Sequence, residues 1–220
     1  MTTFVREKLG KWILQSGILV SAIAGFTLRT QIGLASEKPA SGLYLSADAS
    51  ANFMEDLTEN AGVASAGSRF EMDTGYRIGL VGGYNFTRYV GAEVETGFLQ
   101  NRFTGGNPQD WYAQVPILAN VVFRWENSSR LVPFLGAGAG GAYSIMQFGD
   151  SSATVSDGDM AFAWQGMAGL RYEITDRASI GLIFKYLAVA GSEFNLLSWQ
   201  HYEFTTTRNY SLGAVFNLTF

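Results

Sequence analysis

The sequence predicts an all-β protein, an eight-stranded antiparallel up-and-down transmembrane β-barrel. Three features predict it. The stretch Tyr210 to Phe220 alternates without a break: Tyr210, Leu212, Ala214, Phe216, Leu218 and Phe220 against Ser211, Gly213, Val215, Asn217 and Thr219. That period of two belongs to a strand with unlike faces. Seven more stretches alternate in the same way, joined by connections that are in turn long and short. Charge, finally, is scarce and one-sided: charged residues are 15% of the chain, against roughly 25% in soluble domains. They gather on one face of each alternation. An apolar strand ending on a bare Phe220 is unusual in water, where termini fray. It suits a barrel whose outer face meets lipid and whose rim carries aromatic residues.

The first segment reads as an export signal. Met1 to Lys11 is short and basic, Trp12 to Leu28 is mostly apolar, and Gly33-Leu34-Ala35 offers small residues before a cut at Ser36. This is the layout of a cleaved signal peptide, so residues 1–35 are set apart from the barrel domain at 36–220. The competing reading, an uncleaved anchor, needs an apolar stretch near the lower limit for crossing a bilayer, and Gln15, Ser16 and Gly17 interrupt this one. Of the formal charge of −4, residues 1–35 hold a net of +3 and the remainder −7. An acidic body disfavours nucleic acid, which calls for a basic face. There is no cysteine, hence no disulfide framework, thiolate zinc site or cysteine nucleophile.

The predicted strands follow in order. Leu43 to Phe53 places Tyr44, Ser46, Asp48, Ser50 and Asn52 on its polar face. Phe70 to Phe86 places Glu71, Asp73 and Arg77 there, and Val90 to Asn101 places Glu93 and Glu95. Trp111 to Trp125 sets Tyr112, Gln114, Asn120 and Arg124 opposite Val115, Ile117, Val121 and Phe123. Leu131 to Phe148 is small-residued in its middle. The sixth strand, around Phe162 to Glu173, turns Gln165, Arg171 and Glu173 away from Trp164, Leu170 and Tyr172. Ala178 to Val189 turns Lys185 away from Ile180, Leu182 and Phe184, and Phe204 to Phe220 is the eighth. The long connections are 54–69, 102–110, 149–159 and 191–203, and the short ones are 87–88, 126–130 and 176–177. Short periplasmic turns and longer external loops are the pattern of bacterial outer-membrane barrels. An even strand count then puts both ends of the mature chain in the periplasm.

A soluble sandwich also alternates, but its polar faces would be rich in lysine. After residue 35 the lysines are Lys38 and Lys185. The charged faces are therefore expected to line the lumen. The interior of an eight-stranded barrel is just wide enough for side chains, and buried charges must be paired. Arg77, Arg124, Arg171 and Lys185 are expected to pair with Glu93, Glu95 and Glu173 at mid-depth. Arg208 falls on the lipid-facing list, twelve residues from the chain end, and is expected at the outer interface.

In its second half the chain resembles the small outer-membrane β-barrel family that includes the barrel of OmpA-like proteins. The residues that carry the likeness are Leu131-Val-Pro-Phe-Leu-Gly-Ala-Gly-Ala-Gly-Gly-Ala-Tyr143, Phe162-Ala-Trp-Gln-Gly-Met-Ala-Gly-Leu-Arg-Tyr172, Ser179-Ile-Gly-Leu-Ile-Phe-Lys-Tyr-Leu187 and Gln114-Val-Pro-Ile-Leu-Ala-Asn120. The ending with Gly213, Phe216, Leu218 and Phe220 looks like the signal read by the barrel-assembly machinery, with Leu218 where an aromatic is commoner. The resemblance implies a Gram-negative outer-membrane location. It says little about activity, since members include anchors, adhesins and poorly characterised surface proteins. The chain stops at Phe220, so the peptidoglycan-binding domain of the two-domain relatives is not expected.

Other motifs resolve to structure. Gly136 to Gly141 satisfies G-x-G-x-x-G, but the dinucleotide fingerprint needs a helix after it and none is signalled. Asn127-Ser-Ser129 is a chance sequon. Ser198, His201 and Glu203 fall together in the last long connection and are the best catalytic candidates, without a motif around them. The acidic loop residues Glu55, Asp56, Glu59, Asp150, Asp157 and Asp159 lack the spacing of a calcium loop and read as solvated surface. The expectation is a monomer with no cofactor and no catalysis, with a structural or surface-interaction role through its long loops. The alternative is a low-conductance porin for small solutes, and the third reading is a lipid-modifying enzyme or protease at the rim.

Overall fold

The computed structural model describes residues 41–62, 67–149, 154–197 and 200–220. Residues 1–35, expected from sequence to be an export signal, lie outside the described residues, as do Ser198 and Asp150. Eight strands form a closed barrel: β1 (Gly42–Met54), β4 (Gly75–Asn85), β5 (Val90–Arg102), β6 (Trp111–Arg124), β7 (Leu131–Gly149), β8 (Thr154–Glu173), β9 (Ala178–Val189) and β12 (Thr207–Thr219). Each pairs antiparallel with its neighbours in the chain order of barrel strands, and β1 closes the ring by pairing both β4 and β12. The register is continuous, from Tyr44 opposite Thr219 to Met54 opposite Asn209 at the closure.

The long connections are not loops throughout. Within 54–69 and 191–203 lie β2 (Leu57–Gly62), β10 (Glu193–Leu197) and most of β11 (Gln200–Phe204). With β3 (Arg69–Phe70) they make a second, four-stranded sheet in the order β10-β11-β2-β3. Phe70, assigned from sequence to the second barrel strand, and Phe204, assigned to the eighth, both belong to it. Residues 154–159, assigned to a polar loop, continue β8, and the β7–β8 ladder runs on to Gly149 opposite Thr154. One edge of the small sheet is held to β8 by side chains: the backbone N–H groups of Glu193 and Asn195 donate to Asp159 Oδ2 (3.1 Å) and Asp157 Oδ2 (2.8 Å). Near the other edge, Thr104 N–H donates to Glu71 C=O at 2.9 Å, and Met72 bridges Phe103. Beneath the sheet Met54, Leu57, Phe103, Tyr112, Met146, Phe194 and Phe204 form a buried apolar cluster, with Phe70 and Tyr202 packed against it.

At the opposite end two turns share one device. Thr87 Oγ1 accepts from the N–H groups of Tyr89 and Val90, and Thr175 Oγ1 accepts from those of Arg177 and Ala178. Each hydroxyl takes up two donors that a tight reversal leaves unpaired.

The outward face is apolar along its length, with Leu80 (64% exposed) and Leu182 (65%) among its barest residues. Aromatic pairs mark both rims. Tyr84 with Phe86 (centroids 5.5 Å apart) and Phe123 with Trp125 (4.9 Å) stand at the short-turn end. Trp164, Tyr186 and Tyr210 run side by side toward the other, at 5.0 and 5.2 Å. The separation of the two girdles sets the apolar band between them. Arg208 lies at the second rim, its Nη1 donating to Glu55 Oε2 at 3.0 Å. The Tyr210 hydroxyl, and after it Arg208, hold the Glu55 carboxyl below the usual carboxylate range. An arginine on the outward face is tolerable at that height because it has both a partner and water.

Depth therefore governs outward substitutions. Leu182→Arg, near the middle of the band, is expected to lower unfolding free energy by about 2–4 kcal/mol in lipid vesicles, and Phe53→Arg, beside Tyr210 at the rim, by about 0–1 kcal/mol. Equal costs in a urea titration would refute the depth assignment.

Candidate functional site: the lumen

Inward positions are chosen by room. Tyr44 points across to Gly83, Asp48 to Gly79, Asn120 to Gly138 and Phe134 to Gly169, each pair in register on adjacent strands. A Cβ at Gly83 would lie 2.3 Å from Tyr44, and one at Gly79 would lie 2.5 Å from Asp48 Oδ1. Each of these four lumen side chains thus lies over a glycine. Gly138 is one of the small residues of β7, which runs straight through Gly136–Gly141 with no nucleotide-binding turn.

The lumen side chains stack in layers. At mid-depth Glu95 is the hub. Its Oε1 accepts from Arg77 Nη2 and from Lys185 Nζ, both at 2.5 Å, and its Oε2 accepts from Gln165 Nε2 (2.6 Å) and Asn120 Nδ2 (3.0 Å). Lys185 Nζ also donates to Asp48 Oδ1 at 2.6 Å. Arg77 and Glu95 have no exposed surface, and Lys185 keeps 2%. Two cations against two carboxylates make the layer neutral, which is how full burial of four charges is sustained.

Toward the short turns lies a second charged layer. The Tyr44 hydroxyl donates to Glu93 Oε1 at 2.5 Å, and Arg124 Nη2 stands 3.9 Å from the same oxygen. The Arg124 guanidinium sits 4.9 Å from the Tyr44 ring centroid, and that of Arg171 sits 4.4 Å from the Phe134 ring. Such cation–π contacts replace part of the lost hydration. Toward the long connections the lumen is uncharged. Asn52 donates to Asn101 and Asn209 (2.7 and 2.9 Å), and Gln114 joins Asn209 to Thr207 (2.8 and 2.9 Å). An apolar patch of Leu99, Leu118, Ala142, Ala163, Leu187 and Val189 fills one side.

The residues expected to form one network are thus divided. Arg77, Glu95 and Lys185 meet. Glu93, Arg124 and Arg171 meet in the separate layer. Glu173 is half-buried at the short-turn mouth, where it lines one cavity with Arg124 and Arg171; it follows Arg171 by two residues and so lies one pleat nearer the end. Glu71 and Asp73, read as lumen-facing, are exposed beyond the barrel, where Asp73 Oδ1 accepts from Thr104. Asp48 and Tyr44 are the partners missing from the expected pairing, although both stood on the polar face of β1.

The family described as outer membrane protein beta-barrel domain matches residues 18–220. The chain belongs to this family. The protein is accordingly an outer-membrane barrel of Gram-negative type. Neisserial surface protein A superposes at a TM-score of 0.57 with 16% identity, covering 83% of this chain and 100% of that one. The outer membrane protein OprG of Pseudomonas aeruginosa gives 0.53 with 15% identity and coverage of 82% and 97%. The outer membrane protein AlkL gives 0.51 with 14% identity and coverage of 88% and 97%. At these identities the likeness shows the fold alone. A sequence search of curated proteins gives no match.

In this outer-membrane barrel the terminal residues that the sequence suggests as an assembly signal lie on β12 and just past it. Phe216 and Phe220 are bare to the lipid side (46% and 47% exposed), and Leu218 stands opposite Leu45. Gly213 faces inward against Ser50, where a Cβ would meet Ala49 C=O at 2.1 Å. Of the catalytic candidates, Ser198 lies outside the described residues. His201 Nδ1 is 3.0 Å from Asn195 Oδ1, and Glu203 accepts from Asn60. Among the described residues no three His, Asp or Glu side chains converge as a metal cradle.

Two outcomes follow from the layers. Glu95→Gln leaves Arg77 and Lys185 with Asp48 as their one shared carboxylate and should cost about 3–5 kcal/mol, while Glu93→Gln, with its looser pairing, should cost clearly less. Urea unfolding of both variants decides, and an unchanged midpoint for Glu95→Gln removes the hub role. Gly83→Ala should lower stability by about 1–3 kcal/mol by displacing Tyr44. A wild-type melting temperature would show that the glycine is not needed for room.

Proposed function

We propose that this outer-membrane barrel is a closed structural element that works through its outward end, neither conducting nor catalysing. The observation that supports closure is the Glu95 hub: fully buried Arg77, Glu95 and Lys185, tied by bonds of 2.5 Å, stand across the middle of the lumen. Opening a path there means separating paired charges in a narrow, poorly solvated space, which is costly.

By the rule for bacterial barrels the long-connection end faces outward. That end carries the small sheet over its own aromatic core, and its charge is mainly negative. Glu55, Asp56, Glu71, Asp73, Glu193 and Glu203 stand there, against Arg69, Arg102 and Arg208, the last paired with Glu55. A partner met through this end is therefore expected to present cationic groups. The Gly213–Phe220 ending serves insertion by the barrel-assembly machinery, and residues 1–35 direct export.

The test is the conductance of the full-length-expressed protein, purified from outer membranes, in a planar bilayer. Silence from a barrel shown folded by circular dichroism is the expected result. Discrete, reproducible openings that grow in Glu95→Gln would replace closure with a gated small pore.

A further inference from the structure

The two charged layers differ in a way that the closed-barrel reading does not use. The mid-depth layer is neutral, whereas the second layer sets the buried Arg124 and Arg171 against Glu93, with Glu173 at its mouth. Arg124 (6% exposed) and Arg171 (7%) are both more than nine-tenths buried, yet Arg124 Nη1 and Nη2 and Arg171 Nε have no hydrogen-bond partner. Both side chains line one cavity of about 40 Å³ that opens at the short-turn mouth. That space holds more than one water, so it has room for a small ion. Asn85 lines it too, and its Oδ1 finds no donor. Turning that amide over, an assignment that rests on hydrogen bonding, presents an NH₂ to the same space.

We propose that this cavity is a binding site for a small oxyanion of the phosphate class. Two guanidinium groups and one amide supply donors from β4, β6 and β8, and none supplies an acceptor once the Asn85 amide is turned. Planar guanidiniums suit the edges of a tetrahedral oxyanion, and charge-assisted bonds to phosphate are the strong kind. Glu126, Glu173 and Asp176 stand at the same mouth with Arg88 and Arg177. Those rim charges lie nearer water, so they steer entry more than they set affinity. Pairing of the arginines with Phe134 and Tyr44 leaves their edges, not their faces, for the ligand. The phosphate group can come from a free ion or from a lipid headgroup, and the lumen position favours the free ion.

The test uses the full-length-expressed protein in detergent freed of phospholipid. Inorganic phosphate is titrated calorimetrically, and crystals soaked in selenate are examined for an anomalous peak between Arg124 and Arg171. Saturable phosphate binding, a selenate peak at that point, and affinity about tenfold weaker in Arg171→Gln, as loss of one charge-assisted bond implies, are expected. Ordered water alone on both arginines of the wild type overturns the site, and so does a peak that persists unchanged in Arg171→Gln, which would mark an adventitious ion only. Binding seen only when phospholipid is restored overturns the free-ion source and with it the proposal. The wild-type soak needs no variant to fold.

Discussion

The width of the barrel is the constraint from which the rest of the structure follows. Eight strands enclose a space that side chains fill, so every inward residue competes with those across from it. The glycines resolve that competition by position. Gly79, Gly83, Gly138 and Gly169 each face one large side chain on the next strand. Without them Asp48, Tyr44, Asn120 and Phe134 would be forced out of the lumen or the strands apart. The same narrowness removes water from Arg77, Glu95 and Lys185, and the loss is offset by short bonds among opposite charges. Glycine placement and charge pairing are therefore one arrangement, since a carboxylate can meet its cation only if the neighbouring strand makes room.

The long-connection end raises a different problem. Strands that rise beyond the barrel expose ladder edges. Here the edge at β10 is met by the Asp157 and Asp159 carboxylates, which accept the N–H groups of Asn195 and Glu193. A side chain thus stands in for a strand, and the small sheet is fastened to β8 without a continuous ladder. Below it, apolar residues from several barrel strands and from the sheet meet in the Phe194–Phe204 cluster. This part is built as a soluble protein is, by burying apolar surface away from water, whereas the band beneath it turns apolar surface outward.

The barrel strands were legible in the sequence because lipid outside and a polar lumen inside impose a period of two on every crossing. Val90 and Ala178 begin strands where the alternation begins, and the β9 bounds coincide with the reading. The small sheet was not legible for a physical reason. Its strands are two to six residues long, too short for a period to stand out. Their polar residues, Glu59, Asn195 and Glu203, have the composition of loops. The signal available was the pair Phe70 and Met72, and again Tyr202 and Phe204, apolar residues two apart inside stretches otherwise polar. The pairing in the lumen was only half legible. Alternation says which residues point inward, but the partner of each depends on strand tilt and register. That is why Lys185 on β9 meets Asp48 on β1, two strands away through β12.

Tilt also explains why the layers have different characters. Register carries mid-strand positions of β1, β4, β5 and β9 to one height, where Asp48, Arg77, Glu95 and Lys185 balance each other and leave no surplus charge. Nearer the short turns the inward positions come from β5, β6 and β8, and they bring two arginines to one glutamate. That excess is sustained partly by aromatic faces, with Tyr44 and Phe134 stacked against the guanidiniums. Stacking satisfies the flat side of a guanidinium and leaves its N–H edge open. A neutral layer tied by short bonds at Glu95 is suited to rigidity. A layer with open donors beside a cavity is suited to exchange with whatever anion the adjoining compartment holds. The hub at Glu95 lies between this layer and the uncharged one toward the long connections, so the lumen presents different chemistry at its two ends.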